Sequence, residues 1–435
     1  MIWKNIKTTF FIYSPYECAA VEEYLEQMAE KGWLLLSIKS CHFKFTKIEP
    51  KKIKYSVDVL SKVSIWDHND TDVTLEYREY CQTAGWTYVC QTGKIQIFYT
   101  ETDKKIIPIH TDQTEKFKEV FKASIYDMGY QIFITLVIIF NLYTELFIGN
   151  ADFLLSSNYI IMLTVAMFFI VLINIVKFIS FFLWAIKAKL HLKENTFMPY
   201  NNYKQLKRKN ILMKTYIGIL ILALLISSVF DSSASNQSNI FVVLIVFIII
   251  ITSVQMFIHK KTYSKSTNIA ITIISGTLAI IFLVFTLIFG AVSGRITKIQ
   301  QSGLPSEKIN LTLVDFGYEE NNTESPDIDF NESILAQNTD YSYDIKDKYL
   351  TYNILQSQYP FIIKFYETRL IARLRESHID LMQYYSNLPS NIKIYSYRNK
   401  KSFILVSKDK VINITKGFND VSEDEFFNIV YQKLI

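Results

Sequence analysis

The chain has 435 residues, enough for two or three domains, and half of them are hydrophobic. Its net charge of +5 is unevenly spread: residues 116–292 carry 15 Lys/Arg against 6 Asp/Glu, while both flanks are slightly acidic. A nucleic-acid binder would gather its basic excess in a soluble domain, so direct nucleic-acid binding is not expected. Cys18, Cys41, Cys81 and Cys90 all fall early in the chain, and none forms a C-x-x-C pair. A reducing compartment suits them better than a disulfide framework.

The first residues contain no apolar run long enough for a signal peptide, so the first membrane helix is expected to act as the targeting signal. Ser14-Pro15-Tyr16-Glu17 reads as a helix start, with Ser14 as N-cap and Glu17 closing a capping box. Val21, Leu25 and Met28 share one helical face, and Gly32 stops the helix. Strands are expected from Trp33 to Ile38, around Phe43 and Phe45, and through Ile53, Tyr55, Val57 and Val59.

The pattern then recurs. Tyr24 to Trp33 is echoed by Tyr77 to Trp86, each copy ending its helix in Gly-Trp and continuing as a strand, with Ile95, Ile97 and Tyr99 forming a later strand of the second copy. A repeated helix–strand–strand unit predicts an α+β domain over residues 1–115, with both helices on one face of an antiparallel sheet. Trp33 and Trp86 are candidate functional or packing residues, as core anchors or as platforms for a stacked ligand.

The helix ending in Met28-Ala29-Glu30-Lys31-Gly32-Trp33, then Phe43-x-Phe45, Tyr55-Ser56-Val57-Asp58, Ala84-Gly85-Trp86 and Ile97-Phe98-Tyr99-Thr100 follow in a specific order. Over roughly residues 10–115 this order resembles the bacterial family called domain of unknown function 2812. The resemblance carries no activity and no catalytic residue. It implies a soluble domain placed before several membrane helices, and a regulatory context shared with PadR-like transcription regulators.

Five apolar runs follow within residues 116–292: Met128–Ile148, Tyr159–Phe182, Ile211–Phe230, Ile240–Phe257 and Ile269–Val292. Each approaches or exceeds the ~20 residues that span a bilayer core, and runs of this length must be helical in lipid. Lysines precede the first run, crowd the stretch between the second and third, and separate the fourth and fifth at Lys260, Lys261 and Lys265. The connections at 149–158 and 231–239 contain no Lys or Arg. The positive-inside rule therefore predicts a cytoplasmic N-terminal domain and an extracytoplasmic C-terminal one.

Lys177 interrupts the second run, either snorkelling near the cytoplasmic interface or, with an acidic partner at membrane depth, marking a conduction path. Glu145 is the acid well inside a run, and Asn174 fits an interhelical hydrogen bond better than a transport site. Gly290 and Gly294 have G-x-x-x-G spacing at a helix end. No inverted repeat appears, which disfavours a secondary transporter.

Residues 293–340 read as an acidic polar linker. Within it, Asp327-x-Asp329-x-Asn331 resembles the opening of a calcium loop, but Glu332 stands where the loop needs glycine. Residues 341–435 read as a second α+β domain. Pro360 opens a helix bearing Arg369, Arg373 and Arg375, which face either solvent or an anionic ligand. Short strands follow at 392–397, 403–406 and 411–414, and Ser422 with Glu425 caps a last helix.

The expected fold class is thus a multi-pass α-helical membrane protein, about five transmembrane helices flanked by N- and C-terminal α+β domains. No P-loop, dinucleotide fingerprint, H-E-x-x-H pair or nucleophile elbow occurs, so nothing favours an enzyme, which stays open only through a motif-free site, and no cofactor or metal site is expected. The expected function is signalling or regulation across a bacterial plasma membrane, with a PadR-like regulator or another membrane protein as partner. The alternative is an accessory or self-protection protein for transport of membrane-active compounds.

Overall fold

The computed structural model describes residues 5–230 except 40, 65, 69, 102–106, 111, 195 and 197–201, together with 253–254, 263–278, 281, and 311–435 except 319–325 and 346. These form two compact units. One holds the N-terminal part with segments 169–221 and 263–278, and the other holds segment 138–168 with the C-terminal part.

In the first unit β1 (Ile6–Phe10) leads into a 3-10 turn, Pro15–Glu17, and then α1 (Cys18–Glu30). The Ser14 N–H donates to the Glu17 carboxylate at 2.9 Å, fixing the turn before the helix begins. β2 (Trp33–Lys39) and β3 (His42–Lys47) complete an antiparallel sheet of order β1-β3-β2. β4 (Ile53–Val59), α2 (Asp72–Thr83), β5 (Thr87–Thr92) and β6 (Ile95–Glu101) repeat the design with order β4-β6-β5. The repeated unit is therefore strand–helix–strand–strand. Its extra leading strand went unread in the first copy because Ile6–Phe10, sequence IKTTF, barely alternates.

The two helices do not share one face of one sheet as expected. Ile53, Tyr55, Val57 and Val59 of β4, with Ile95 and Ile97 of β6, pack on α1. Asp58, Gln96 and Phe98 point the other way, to residues of α2 and its stop. The reason lies in β6, where Ile95, Gln96, Ile97 and Phe98 are all buried, so both faces of its sheet need a cover. α1 also closes the β4 edge: Glu22 accepts the Val57 N–H at 2.8 Å, and Glu26 accepts the Tyr55 N–H at 3.3 Å.

α3 (Gln113–Tyr143), the short α4 (Ala151–Ser156), α5 (Asn158–Lys193) and α6 (Tyr203–Phe230) follow. α3 with its π-helical extension Thr144–Ile148, α5 and α6 are each long and apolar enough to cross a bilayer. Their large side chains, such as Phe133, Phe140, Phe168, Val176 and Leu222, are exposed, the inverse of a water-soluble helix. Nearly all of Ile240–Phe257, most of Ile269–Val292, and the Gly290/Gly294 spacing lie outside the described residues; residues 265–278 are helical.

Position 115 is not a packing boundary. Val120, Ala123 and Met128 of α3, Phe181, Trp184 and Ala188 of α5, and Leu206 of α6 join the same core as α1. α5 is 36 residues long, and at about 1.5 Å per residue that exceeds a ~30 Å hydrocarbon core by several turns.

In the second unit β7 (Asp327–Glu332), β8 (Gln337–Ile345), β9 (Lys348–Gln356), α7 (Pro360–Glu376), β10 (Met382–Tyr384), β11 (Lys393–Tyr397), β12 (Ser402–Val406), β13 (Lys410–Lys416) and α8 (Glu423–Leu434) build one antiparallel sheet with two long helices. Strand order is β10-β11-β12-β13-β9-β8-β7. α8 and the turn Leu313–Phe316 cover one face, and α7 with α4 covers the other.

The expected polar linker over 293–340 is corrected on two counts. Leu311, Leu313 and Phe316 are core residues, and Asp327–Glu332 is a strand paired with β8. Its acids alternate with Ile328 and Phe330, which is strand periodicity. The calcium-loop reading fails for the same reason, since alternate residues of a strand lie about 6.7 Å apart and cannot wrap an ion.

Candidate functional site

The residues singled out by sequence are scattered rather than gathered. Trp33 is half-buried on β2 beneath the Lys7 ammonium, 5.4 Å from its ring, and packs on the main core. Trp86 is buried with Cys81 and Phe98, and its indole N–H donates to the Ile107 carbonyl at 3.0 Å. Asn174 on α5 donates to the Thr135 hydroxyl on α3 at 2.9 Å, an interhelical hydrogen bond. Lys177 sits one turn before the buried Phe181, in the field of Asp127, Glu17 and Lys209. The acids whose charges reach it are thus Asp127, just before the first apolar run, and Glu17.

Two polar clusters in the N-terminal part were not legible beforehand. Asp58, nearly fully buried, accepts from the Tyr77 hydroxyl and bonds His110 Nε2 at 2.8 Å. Burial alone would raise its carboxyl, but the His110 hydrogen bond and charge outweigh that and hold it below the usual range. Burial likewise opposes charging His110, yet the Asp58 carboxylate raises it overall. Beside them Arg78 lies 4.0 Å over the Tyr88 ring and donates to Gln91 and Asp70, each at 2.7 Å. Every hydrogen-bonding group named there is satisfied inside the domain, so these clusters read as structural ties between α2 and its sheet.

The second unit holds an open polar cavity of about 140 Å³. Its floor is a row across the sheet: Asp340 on β8 lies opposite Asn353 on β9, which lies opposite Asn413 on β13. Residues in register share a face, so the three side chains stand together although they are far apart in sequence. Its roof is one stripe of α7, with Tyr366, Arg369, Leu370 and Arg373 at helical spacings of three and four. Gly149, Ala151 and Asp152, at the start of α4, close one end.

Hydrogen bonds fix the floor. The Asn353 amide donates to Asp340 at 2.6 Å and accepts from the Tyr366 hydroxyl at 2.8 Å; Asn338 donates to the second Asp340 oxygen at 2.8 Å. The Tyr397 hydroxyl donates to the Asn413 carbonyl at 2.6 Å. Arg369 donates to the Phe147 carbonyl and, at 3.2 Å, to that of Gly149. Burial raises the Asp340 carboxyl, and the neighbouring Asp152 and Asp329 carboxylates add to the shift. Burial also pushes the Tyr366 hydroxyl far up, so it serves as a neutral donor.

Of this site the sequence singled out Arg369 and Arg373. Asp340, Asn353 and Asn413 were missed, because they come together only through the strand register and Asp340 lies in a strand already rich in polar residues.

Comparison with known proteins bears on the N-terminal part alone. Residues 18–134 match the family model described as protein of unknown function (DUF2812), from the start of α1 well into α3. No curated protein and no solved structure matches the chain.

Proposed function

We propose that the chain is a bacterial plasma-membrane signalling or regulatory protein that couples an exterior C-terminal domain to a cytoplasmic N-terminal one. Five crossings, with the N-terminus inside, follow from the basic flanks of the apolar runs. The cytoplasmic partner is a PadR-like transcription regulator or another membrane protein.

The observation that supports this reading is that each soluble part is bonded to helix ends and not merely tethered. In the first unit, Asn210 of α6 pairs with both backbone groups of Ile12, at 2.7 and 2.8 Å, and Lys209 holds Glu17. In the second, Arg369 holds the carbonyls that follow α3, and Asn158 at the start of α5 accepts the Ile334 N–H at 2.9 Å. A joint of packed and hydrogen-bonded groups transmits a displacement, whereas a flexible tether absorbs it.

In the native host, deleting residues 1–115 is expected to change transcription of neighbouring genes. It should also remove a cytoplasmic partner from a pull-down of the full chain. Unchanged transcription together with no partner that depends on those residues would sink the reading.

A further inference from the structure

We propose that the cavity beneath α7 binds a small zwitterion, a molecule carrying one ammonium and one carboxylate group, of the size of the simplest amino acids. This deepens the reading of the C-terminal domain as the exterior, signal-receiving part, and it names the signal's chemistry.

The size comes first. An open cavity of about 140 Å³ admits a small ligand of few heavy atoms. Next comes the unmet hydrogen-bonding capacity of the walls, which has both signs. Asp340 receives only amide donors, from Asn338 and Asn353, and Asp152 has no hydrogen-bond donor or ion-pair partner among the described residues. Neither carboxylate has an ion-pair partner among the described residues, and burial, with the Asp152 and Asp329 charges adding to it, raises the Asp340 carboxyl. An ammonium group between them offsets these charges and donates three hydrogen bonds.

On the opposite wall the unmet groups are donors. The Arg369 Nε–H is buried and has no acceptor among the described residues. The half-buried Asn413 amide nitrogen has none among the described residues, and Arg373, exposed at the rim, has no ion-pair partner among them. A carboxylate reaching Arg373 at the rim supplies acceptors to this side. A bare metal ion would satisfy the two aspartates and leave every one of these donors unpaired. A simple anion would do the reverse, so a ligand with both charges is the chemistry that completes the site.

The cavity also explains how binding would be felt. Asp152 belongs to α4, in the connection between α3 and α5, while Asp340 and Arg373 belong to the sheet and to α7. A ligand that bridges them ties the connection to the domain.

The test is calorimetric titration of the full chain in lipid nanodiscs with glycine and alanine, using methylammonium, acetate and calcium as one-charge probes. Saturable binding of an amino acid, with weaker binding of methylammonium and acetate, is expected. Asp340→Asn, Asp152→Asn and Arg373→Gln should each weaken it about tenfold or more. Because Asp340 is hydrogen-bonded within the sheet, the melting temperature of each variant is measured alongside, and Arg373→Gln, on the exposed rim, is decisive if Asp340→Asn unfolds.

Absence of saturable binding by both amino acids overturns the proposal, as does binding unaffected by all three variants. Calcium binding that Asp340→Asn abolishes, without amino-acid binding, reassigns the cavity to a cation and also overturns it. If no amino acid binds while deletion of residues 1–115 still changes transcription, the ligand assignment alone has failed. If binding occurs but transcription never responds, the coupling reading has failed and the site stands.

Discussion

Lys209 on α6 reaches both carboxylate oxygens of Glu17, each at 2.8 Å, across 192 positions of the chain. The Glu17 side chain is 2% exposed and that of Lys209 is 29% exposed, and Lys209 is the ion-pair partner of this buried acid among the described residues. Lys209→Met should destabilise the N-terminal part by about 2–4 kcal/mol, since it leaves a buried charge alone. Glu17→Gln added to Lys209→Met should recover most of the loss. Thermal melting of the three variants in detergent checks this, and a double variant no better than the single refutes it.

Glu22 gives a pH dependence of opposite sign to the usual acid. Burial raises its carboxyl from 4.5 to about 7, with Lys116 and the Val57 N–H pulling partly back. The folded state therefore holds a proton that the unfolded chain releases, and stability falls as pH rises from about 4.5 to about 7. Glu22→Gln keeps an oxygen for the Val57 N–H and never ionises. Its melting temperature should exceed that of the unmodified chain at pH 8 and match it at pH 4; equal melting at both values would discount the effect.

Gly32 and Gly85 close the equivalent helices with φ of +81° and +92°. A Cβ on Gly32 would lie 2.8 Å from the Ile48 carbonyl oxygen, whereas one on Gly85 meets nothing within 4 Å. Both alanine variants carry the cost of left-handed backbone, about 1–2 kcal/mol, and Gly32→Ala adds a backbone clash. Chemical denaturation of the two variants should rank Gly32→Ala as the more damaging.

Asn174 and Thr135 join two apolar helices by a hydrogen bond whose worth in a bilayer averages about 0.6 kcal/mol. Asn174→Leu should therefore leave expression and melting nearly unchanged. A large loss of folding or of a transport phenotype on this substitution would point to work beyond helix packing.

The proposed topology makes a labelling prediction. In a Cys41→Ser background, whose other native cysteines are buried, Tyr385→Cys and Glu79→Cys introduce thiols at exposed positions. An impermeant maleimide added to intact cells should label the first and spare the second until the membrane is opened. The reverse pattern would invert the orientation.

Local signals carried much of the fold. Ser14-Pro15-Glu17, Pro360 and Ser422 with Glu425 mark helix starts where the structure has them, and the β4 alternation from Ile53 to Val59 is a strand. Five strands, β1, β7, β8, β9 and β10, were not read as strands: Ile6–Phe10 hardly alternates, the acids and amides of β7 and β8 resemble a linker, β9 mixes polar and apolar residues, and β10 is three residues long. The sheet partition was invisible for a different reason. Which strands pair is settled by tertiary register, and the Gly-Trp repeat reports only local order.

The cavity belongs to that non-local class. Asp340, Asn353 and Asn413 become neighbours only after β8, β9 and β13 align, and no spacing in the chain announces it. The arginines of α7 were visible because a helix puts residues three and four apart on one face.

The duplicated strand–helix–strand–strand design has treated its two helices unequally. α1 is hemmed in: Tyr24 stacks on Tyr203 at 5.3 Å, Glu23 accepts the Tyr203 N–H at 2.7 Å, and its inner face fills the core. α2 leans on a single sheet face and leaves Val73, Leu75 and Tyr80 in the open. The two like units thus divide the labour, one helix built into the masonry and the other left with a spare outer wall. Substitutions can accumulate on that outer wall at little energetic cost, while the same changes on α1 would disturb the core and the helices packed on it.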